Sequence, residues 1–384
     1  MQNPAADAAL PVAQAERAVC LDALRGMALF GVLCVNLVTE FRVSLFEQFL
    51  PQPAASSVAD RLVASAIRFG LESKAFIVFS LLFGVGLEMQ RVRCHARGVA
   101  FGRYLVRRLG FLLVVGVVHL FLIWNGDILT LYALTGLLAA PLLALPARVL
   151  LPLALGLFVV YVLPLPYTSP FPNGAALLAH VQSARVVYAH GTFLEVLAFR
   201  IHEVRPISGL LLGAAPRTLG LFLLGACAFR RGLLGPGRGR GLLVLLAGLG
   251  LSAGILVPLS TPWALGAWRG VVSDWGAILL GLGYASAVVL AFRSRRGARL
   301  LAVFAPLGQL AFTSYLTQSV VLSVLFYGWG FGLFGRLHEW QAAALAVAFF
   351  ATQAVFSAWW LRSHRFGPLE RLWRSFTYGA RLPR

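Results

Sequence analysis

The stretch that most constrains this chain is residues 107–145, RRLGFLLVVGVVHLFLIWNGDILTLYALTGLLAAPLLAL. Two apolar runs, 109–124 and 128–145, are joined by the turn Asn125-Gly126-Asp127, and neither run contains Asp, Glu, Lys or Arg. A helix needs roughly 20 apolar residues to cross a hydrocarbon core. A segment surrounded by lipid must also satisfy its own backbone hydrogen bonds, so each run is read as a membrane helix. Arg107 and Arg108 mark the entry of the hairpin, and the acidic turn marks the far side. The only polar group well inside the first run is His119.

The same pattern continues along the chain. Of 384 residues, 59% are hydrophobic and 12% charged, about half the charge of an ordinary globular domain. Further apolar runs are read at 24–41, from Lys74 onward, and at 149–165. Others lie at 218–229 (or beginning earlier, near Ile207), 241–259, from a Ser273-Asp274 cap to 292, 300–327 with a kink near Pro306, and 340–361. The fold class expected is all-α: a polytopic membrane protein of about ten helices. Residues 1–20 are read as a disordered tail with no basic segment of the signal-peptide kind. Residues 21–166 form an amino-terminal transmembrane half, 167–217 an extramembrane or interfacial segment, 218–361 a carboxy-terminal half, and 362–384 a basic tail.

Net charge is +19, but the arginines sit in short clusters between apolar runs and not along one soluble face, which argues against nucleic-acid binding. Their distribution orients the chain. With the amino terminus cytoplasmic, 23 basic residues fall inside and 10 outside, and the short outer loops are nearly bare, as the positive-inside rule requires. Both termini are therefore placed in the cytoplasm. The four cysteines form no CxxC pair and no metal-ligand spacing, so neither a disulfide nor a bound metal is expected.

Polar groups within spans are costly and mark candidate sites. Asn36 lies eleven residues after Arg25, and His119 eleven after Arg108, so both reach about 16 Å into the bilayer at 1.5 Å per residue. Gln309 reaches a similar depth from Arg299. Packing alternatives stand beside each. His119 can bond a neighbouring carbonyl, Asn36 can join helices as intramembrane amides do, and Asp22 with Arg25 can be an interfacial ion pair. Asp127 can simply cap the helix it opens. Glu370, among arginines, is read as paired.

The segments LDALRGMALFGVLCVN, KAFIVFSLLFGVGLEMQ, VHLFLIWNGDILTLYALTGLL, SDWGAILLGLGYASAVVL, AFTSYLTQSVV and RFGPLERLWRSFTYG occur in order from Leu21 to Gly379. Together they resemble the YeiB family of bacterial inner-membrane proteins, whose carboxy-terminal part is the domain DUF418. At its first helix that family is similar to transmembrane acyltransferases, including the acyltransferase-3 proteins and heparan-alpha-glucosaminide N-acetyltransferase. The resemblance implies an inner-membrane protein that takes an acyl group from a cytoplasmic acyl-CoA and passes it to a small-molecule acceptor, often a sugar. The shared element is an Arg followed by ten residues and a polar residue, here Arg25 and Asn36. Acyltransferase-3 proteins carry His at the second position, and the heparan enzyme has Asn with a His a little further on. This chain has no His in the loop after Asn36, where Glu40 and Glu47 are the nearest titratable groups, so the role of base falls to His119. On this reading Asn36 donates to the oxyanion, Asp127 gates or binds the acceptor, and Arg25, Arg107 and Arg108 hold the donor's phosphates. A transporter using the same polar groups, or a non-catalytic membrane protein, is the alternative.

Overall fold

The computed structural model describes residues 19–51, 57–163, 171–234, 239–260 and 268–379, and these contain helices and no strands. The expected disordered tail before Val19 and the turns read at 164–166 and 235–237 lie outside them. The helices are α1 Val19–Val35, α2 Val58–Ser65, α3 Lys74–Ala96, α4 Phe101–Val118, α5 Leu129–Leu142 and α6 Ala147–Val162. Then follow α7 Gly174–His190, α8 Phe193–Arg230, α9 Arg240–Ser260, α10 Trp268–Phe292, α11 Arg295–Leu301 and α12 Ala305–Gln309. The last three are α13 Ala311–Phe326, α14 Glu339–Trp360 and α15 Pro368–Tyr378.

The chain is an all-α polytopic membrane protein. Among the described residues six helical stretches are long and apolar enough to cross a bilayer, or seven if the pair Arg295–Gln309 and Ala311–Phe326, bent by 70°, is one span. Three shorter apolar helices, Leu129–Leu142, Ala147–Val162 and Arg240–Leu256, occupy the places of three other expected spans.

Three local readings change. The span expected at 218–229 is the inner part of α8, a helix of 38 residues that runs unbroken across residue 217. At 1.5 Å per residue it is about 57 Å long, well beyond what a hydrocarbon core of about 30 Å needs, and its amino-terminal half carries Glu195 and Glu203. Thr192 and Glu195 start it with a reciprocal capping box. Asp274 is not a cap: α10 begins at Trp268, and Asp274 sits within it, accepting from the Tyr161 hydroxyl at 3.3 Å. The break in the ninth apolar run falls at Leu310, not Pro306. Pro306 stands in the first turn of α12, where a missing N–H costs nothing.

Glycine sets the closest crossings. A Cβ on Gly308 would collide with the Asp22 carbonyl, and one on Gly26 with the Phe304 carbonyl, so α12 and the turn before it lie directly on α1. Gly84 against Phe222 and Gly225 against Leu81 bring α3 and α8 together in the same way. Without a hydrophobic drive between helices in lipid, such backbone approach is what packs them. Gly308→Ala is therefore expected to cost about 1–3 kcal/mol or more, read as a lowered unfolding midpoint in detergent. The same substitution at half-buried Gly110, where a Cβ meets nothing, leaves the midpoint in place.

Candidate functional site

Asn36 and His119 each open a π-helical turn, Asn36–Phe41 and His119–Ile123. The wider ring is closed by i+5 bonds, Arg42 N–H to Leu37 O at 3.1 Å and Trp124 N–H to His119 O at 2.8 Å. Such turns cost regular hydrogen bonding and are frequent at functional sites. The two turns meet through their last aromatic groups, since Phe41 stacks on Trp124 with centroids 4.5 Å apart.

His119 is fully buried, with Nδ1 2.9 Å from Asp127 Oδ1, itself fully buried. The Asp127 carboxylate also accepts the N–H groups of Leu129 at 3.1 Å and Thr130 at 2.7 Å, so it caps α5 and faces His119 together. The capping reading of Asp127 is thus met, with a contact to His119 added to it, and Asp127 does not line the neighbouring cavity walled by Arg25 and Tyr315. Gly126 is required by close approach: a Cβ there would enter the Trp124 indole, which folds back over the turn. Both ring nitrogens of His119 are buried and neither makes a hydrogen bond among the described residues, Nδ1 meeting Asp127 as a close ion-pair contact and Nε2 meeting no polar group.

Next to His119 stands Tyr315, ring centroids 5.3 Å apart. Tyr315 also lines a cavity of about 250 Å³. Arg25, Arg93, Arg108 and Arg374 line this cavity, with Asp22 and Glu370 as the acidic groups. Tyr132, Tyr315 and the two residues that follow the Asn-Gly-Asp turn in sequence, Ile128 and Leu129, line it as well. Asp22 is engaged with Arg25 at 2.8 Å. Arg108 stacks over Trp373 at 3.7 Å, and the Trp373 indole donates to the Arg108 carbonyl at 2.8 Å. The cavity wall therefore carries more cationic than anionic groups, and suits a ligand with an anionic end.

Glu370 is not held chiefly as an arginine partner. Its carboxylate accepts from the N–H groups of Phe312 at 2.8 Å and Thr313 at 3.0 Å and from the Thr313 hydroxyl at 2.5 Å. It caps the free N-terminus of α13 at the 70° break. Burial pushes the Glu370 carboxyl above its usual range, and these hydrogen bonds oppose the rise.

Of the sequence-derived candidates, Arg25, Arg108 and Gln309 line the cavity, and His119 and Asp127 form the buried pair behind Tyr315. Asn36 is half-buried on the neighbouring π-turn and does not line the cavity; Arg107 is exposed on α4, outside it. Two groups escaped sequence reading. Tyr315 lies in the quoted segment AFTSYLTQSVV, where a phenol in mid-span is a signal, because a buried hydroxyl requires a partner. Glu203 was read only as part of an outer segment, yet it is buried against the Asn-Gly-Asp turn. Its carboxylate receives the Asn125 amide and the Tyr188 hydroxyl, and His180 Nε2 lies 2.8 Å away. Among the described residues no group of three His, Cys, Asp or Glu side chains is arranged to hold a metal ion.

The model of DUF418, a family of proteins of unknown function, matches residues 228–380. The uncharacterized protein YxaH of Bacillus subtilis (strain 168) is 35% identical over 392 residues, covering 96% of both chains. An uncharacterized 39.9 kDa protein in the amylase 3' region of Bacillus acidopullulyticus is 29% identical over 390 residues, 97% of each. The uncharacterized protein YeiB of Escherichia coli (strain K12) is 29% identical, with 96% of this chain and 98% of that protein aligned.

Proposed function

The chain belongs to the YeiB-like DUF418 family of membrane proteins, and on that premise we propose that it is a transmembrane acyltransferase of the bacterial inner membrane. It takes an acyl group from a cytoplasmic acyl-CoA and transfers it to an acceptor, a sugar or envelope component, at the membrane or outer face. One observation carries the reading: Tyr315 stands in the wall of an arginine-lined cavity and packs against a buried His–Asp pair, neither of whose imidazole nitrogens is committed to a hydrogen bond.

In the reaction, the acceptor hydroxyl or amine attacks the thioester carbonyl while His119 Nε2 takes its proton. The tetrahedral adduct collapses with cleavage of the C–S bond, and the proton passes to the departing CoA thiolate. Asp127 keeps the proton of His119 on Nδ1, so that Nε2 is the basic nitrogen. Asn36, on the adjacent π-turn, serves as amide donor to the oxyanion. Arg25, Arg93, Arg108 and Arg374 receive the donor's phosphates by charge-assisted hydrogen bonds. Exposed Arg107 contributes attraction at the entrance. Tyr315 lies between cavity and base, so it swings aside when the acyl group arrives.

The test is calorimetric titration of acetyl-CoA and a longer acyl-CoA into the purified protein. Arg25→Ala is expected to weaken donor binding at least about tenfold, the worth of one hydrogen bond to a charged group. Absence of binding by either donor to folded protein removes the acyltransferase reading. The second reading is a transporter; its supporting observation is the bent pair Arg295–Gln309 and Ala311–Phe326, since carriers build solute sites at interrupted helices. Protein-dependent uptake of a solute into vesicles, without donor binding, would favour it.

A further inference from the structure

We infer that Glu203, on the outer half of α8, is a positioning residue for His119, acting through Asn125 and the turn that carries Asp127. The inference rests on the acyltransferase reading for the meaning of His119, and on geometry for the connection.

Glu203 is 1% exposed. A carboxylate so buried costs several kcal/mol of desolvation unless strongly paired, so apolar packing would serve stability at least as well. Its partners come from two separate elements. His180 and Tyr188 lie on α7, and Asn125 lies in the turn between the two runs of the central hairpin. Asn125 also donates to the Tyr188 hydroxyl at 3.1 Å. One helical turn before Glu203, Arg200 is equally buried, with its guanidinium 4.8 Å from the Tyr327 ring; Tyr327 in turn stacks on Tyr188 at 5.0 Å. The carboxylate thus sits in a rigid aromatic and cationic frame and grips the hairpin turn by one amide.

That amide is two residues from Asp127. Gly126, between them, is pinned beneath Trp124 and gives the turn no side chain of its own to hold it. Asp127 must satisfy two demands at once, the cap of α5 and the 2.9 Å contact with His119 Nδ1. A turn free to rotate can keep the cap and lose the histidine. The Asn125–Glu203 bond removes that freedom. It also means that the outer helices, which lie outside the donor cavity, set the orientation of the base.

The test uses full-length protein in detergent and reads carbethoxylation of His119 by diethylpyrocarbonate, quantified by peptide mass spectrometry. Glu203→Gln keeps the volume but removes the negative charge and one of the two acceptor oxygens that Asn125, Tyr188 and His180 share. Glu203→Gln and Asn125→Ala are each expected to raise the His119 rate about tenfold or more, and the double variant no further, because both cut one link. Tyr188→Phe, which removes one of the donors, raises it less and serves where the other variants fail to fold. Ile207→Ala, in the same outer packing cluster as Phe46, Leu120 and Val181, leaves the rate unchanged. An unchanged His119 rate in folded Glu203→Gln, additive effects in the double variant, or an equal rise in Ile207→Ala overturns the inference. This readout needs no substrate, so failure of the acyltransferase reading shows separately, as absent donor binding. In active protein Glu203→Gln lowers kcat and leaves the donor KM within about twofold, since the cavity arginines are untouched.

Discussion

His119→Gln is expected to lower acyl transfer by two to four orders of magnitude, the usual contribution of a positioned general base, while the affinity for the donor stays as it was. The separation follows from the layout. On the proposed reading the donor's phosphates meet Arg25, Arg93, Arg108 and Arg374, which line the cavity, whereas His119 packs against Tyr315 and does not line it. Glutamine fills most of the imidazole volume and can still meet Asp127, so the fold survives, but it has no basic nitrogen at the Nε2 position. Asp127→Asn is the sharper companion. Its oxygen can still cap Thr130, while the amide nitrogen turns a donor toward Nδ1 and drives the histidine proton onto Nε2. Loss of turnover comparable to His119→Gln, with a stability change no larger than the 0.5–2 kcal/mol or so of a helix cap, would assign the pair to catalysis. Unchanged turnover in both variants would return His119 and Asp127 to packing and capping. The measurements are single-turnover transfer from radiolabelled acetyl-CoA and a parallel thermal melt.

How much of this was legible beforehand depends on the range of the interaction. The central hairpin, the arginine-marked ends and the depth of His119 follow from apolar length and spacing along one helix, which periodicity records directly. The π-turns at Asn36 and His119 do not, because nothing in VHLFLIW distinguishes an i+5 from an i+4 bond until tertiary contacts such as Phe41 on Trp124 select it. The break at Leu310 was displaced to Pro306 because proline is the visible breaker. The real cause is distant: Gly308 lies on the Asp22 carbonyl, and Glu370, 57 residues or more along the chain, supplies the acceptors that α13 lacks. The reach of α8 was shortened for a similar reason. The histidines, Glu195, Glu203 and Arg205 within 167–217 read locally as an extramembrane excursion with amphipathic helices, yet one continuous helix from Phe193 to Arg230 carries Glu195, Glu203 and Arg205 into the apolar stretch. Asp274 looked like a cap because Ser-Asp commonly is one, and its partner Tyr161 is 113 residues away.

Glu88 illustrates the same long-range logic with a large effect on stability. On α3, its side chain is wholly buried and accepts from Arg91 at 2.7 and 2.9 Å and from Arg230 at 2.9 and 3.0 Å. Arg230, at the end of α8, also donates to the carbonyls of Leu143 and Leu145 just beyond α5. The carboxylate therefore joins α3 to α8, Arg230 carries the tie on to the end of α5, and one negative charge is shared between two guanidinium groups at an end of the molecule crowded with arginines. Glu88→Ala is expected to cost about 3–5 kcal/mol, the penalty for leaving a buried charge without its partner, and to be read as a sharp drop in unfolding midpoint or in recoverable monodisperse protein. Arg91→Ala should cost no more than about 1 kcal/mol, because Arg91 is partly exposed and Arg230 still holds the carboxylate. The pair Glu88→Met with Arg230→Met removes both charges, which by itself is often close to neutral. It also strips the donors from two helix-end carbonyls. Recovery in that double variant should consequently be partial, and the shortfall measures what Arg230 contributes to closing α5. Full recovery would confine Arg230 to the ion pair, and a mild effect of Glu88→Ala would show that water reaches this end of α3.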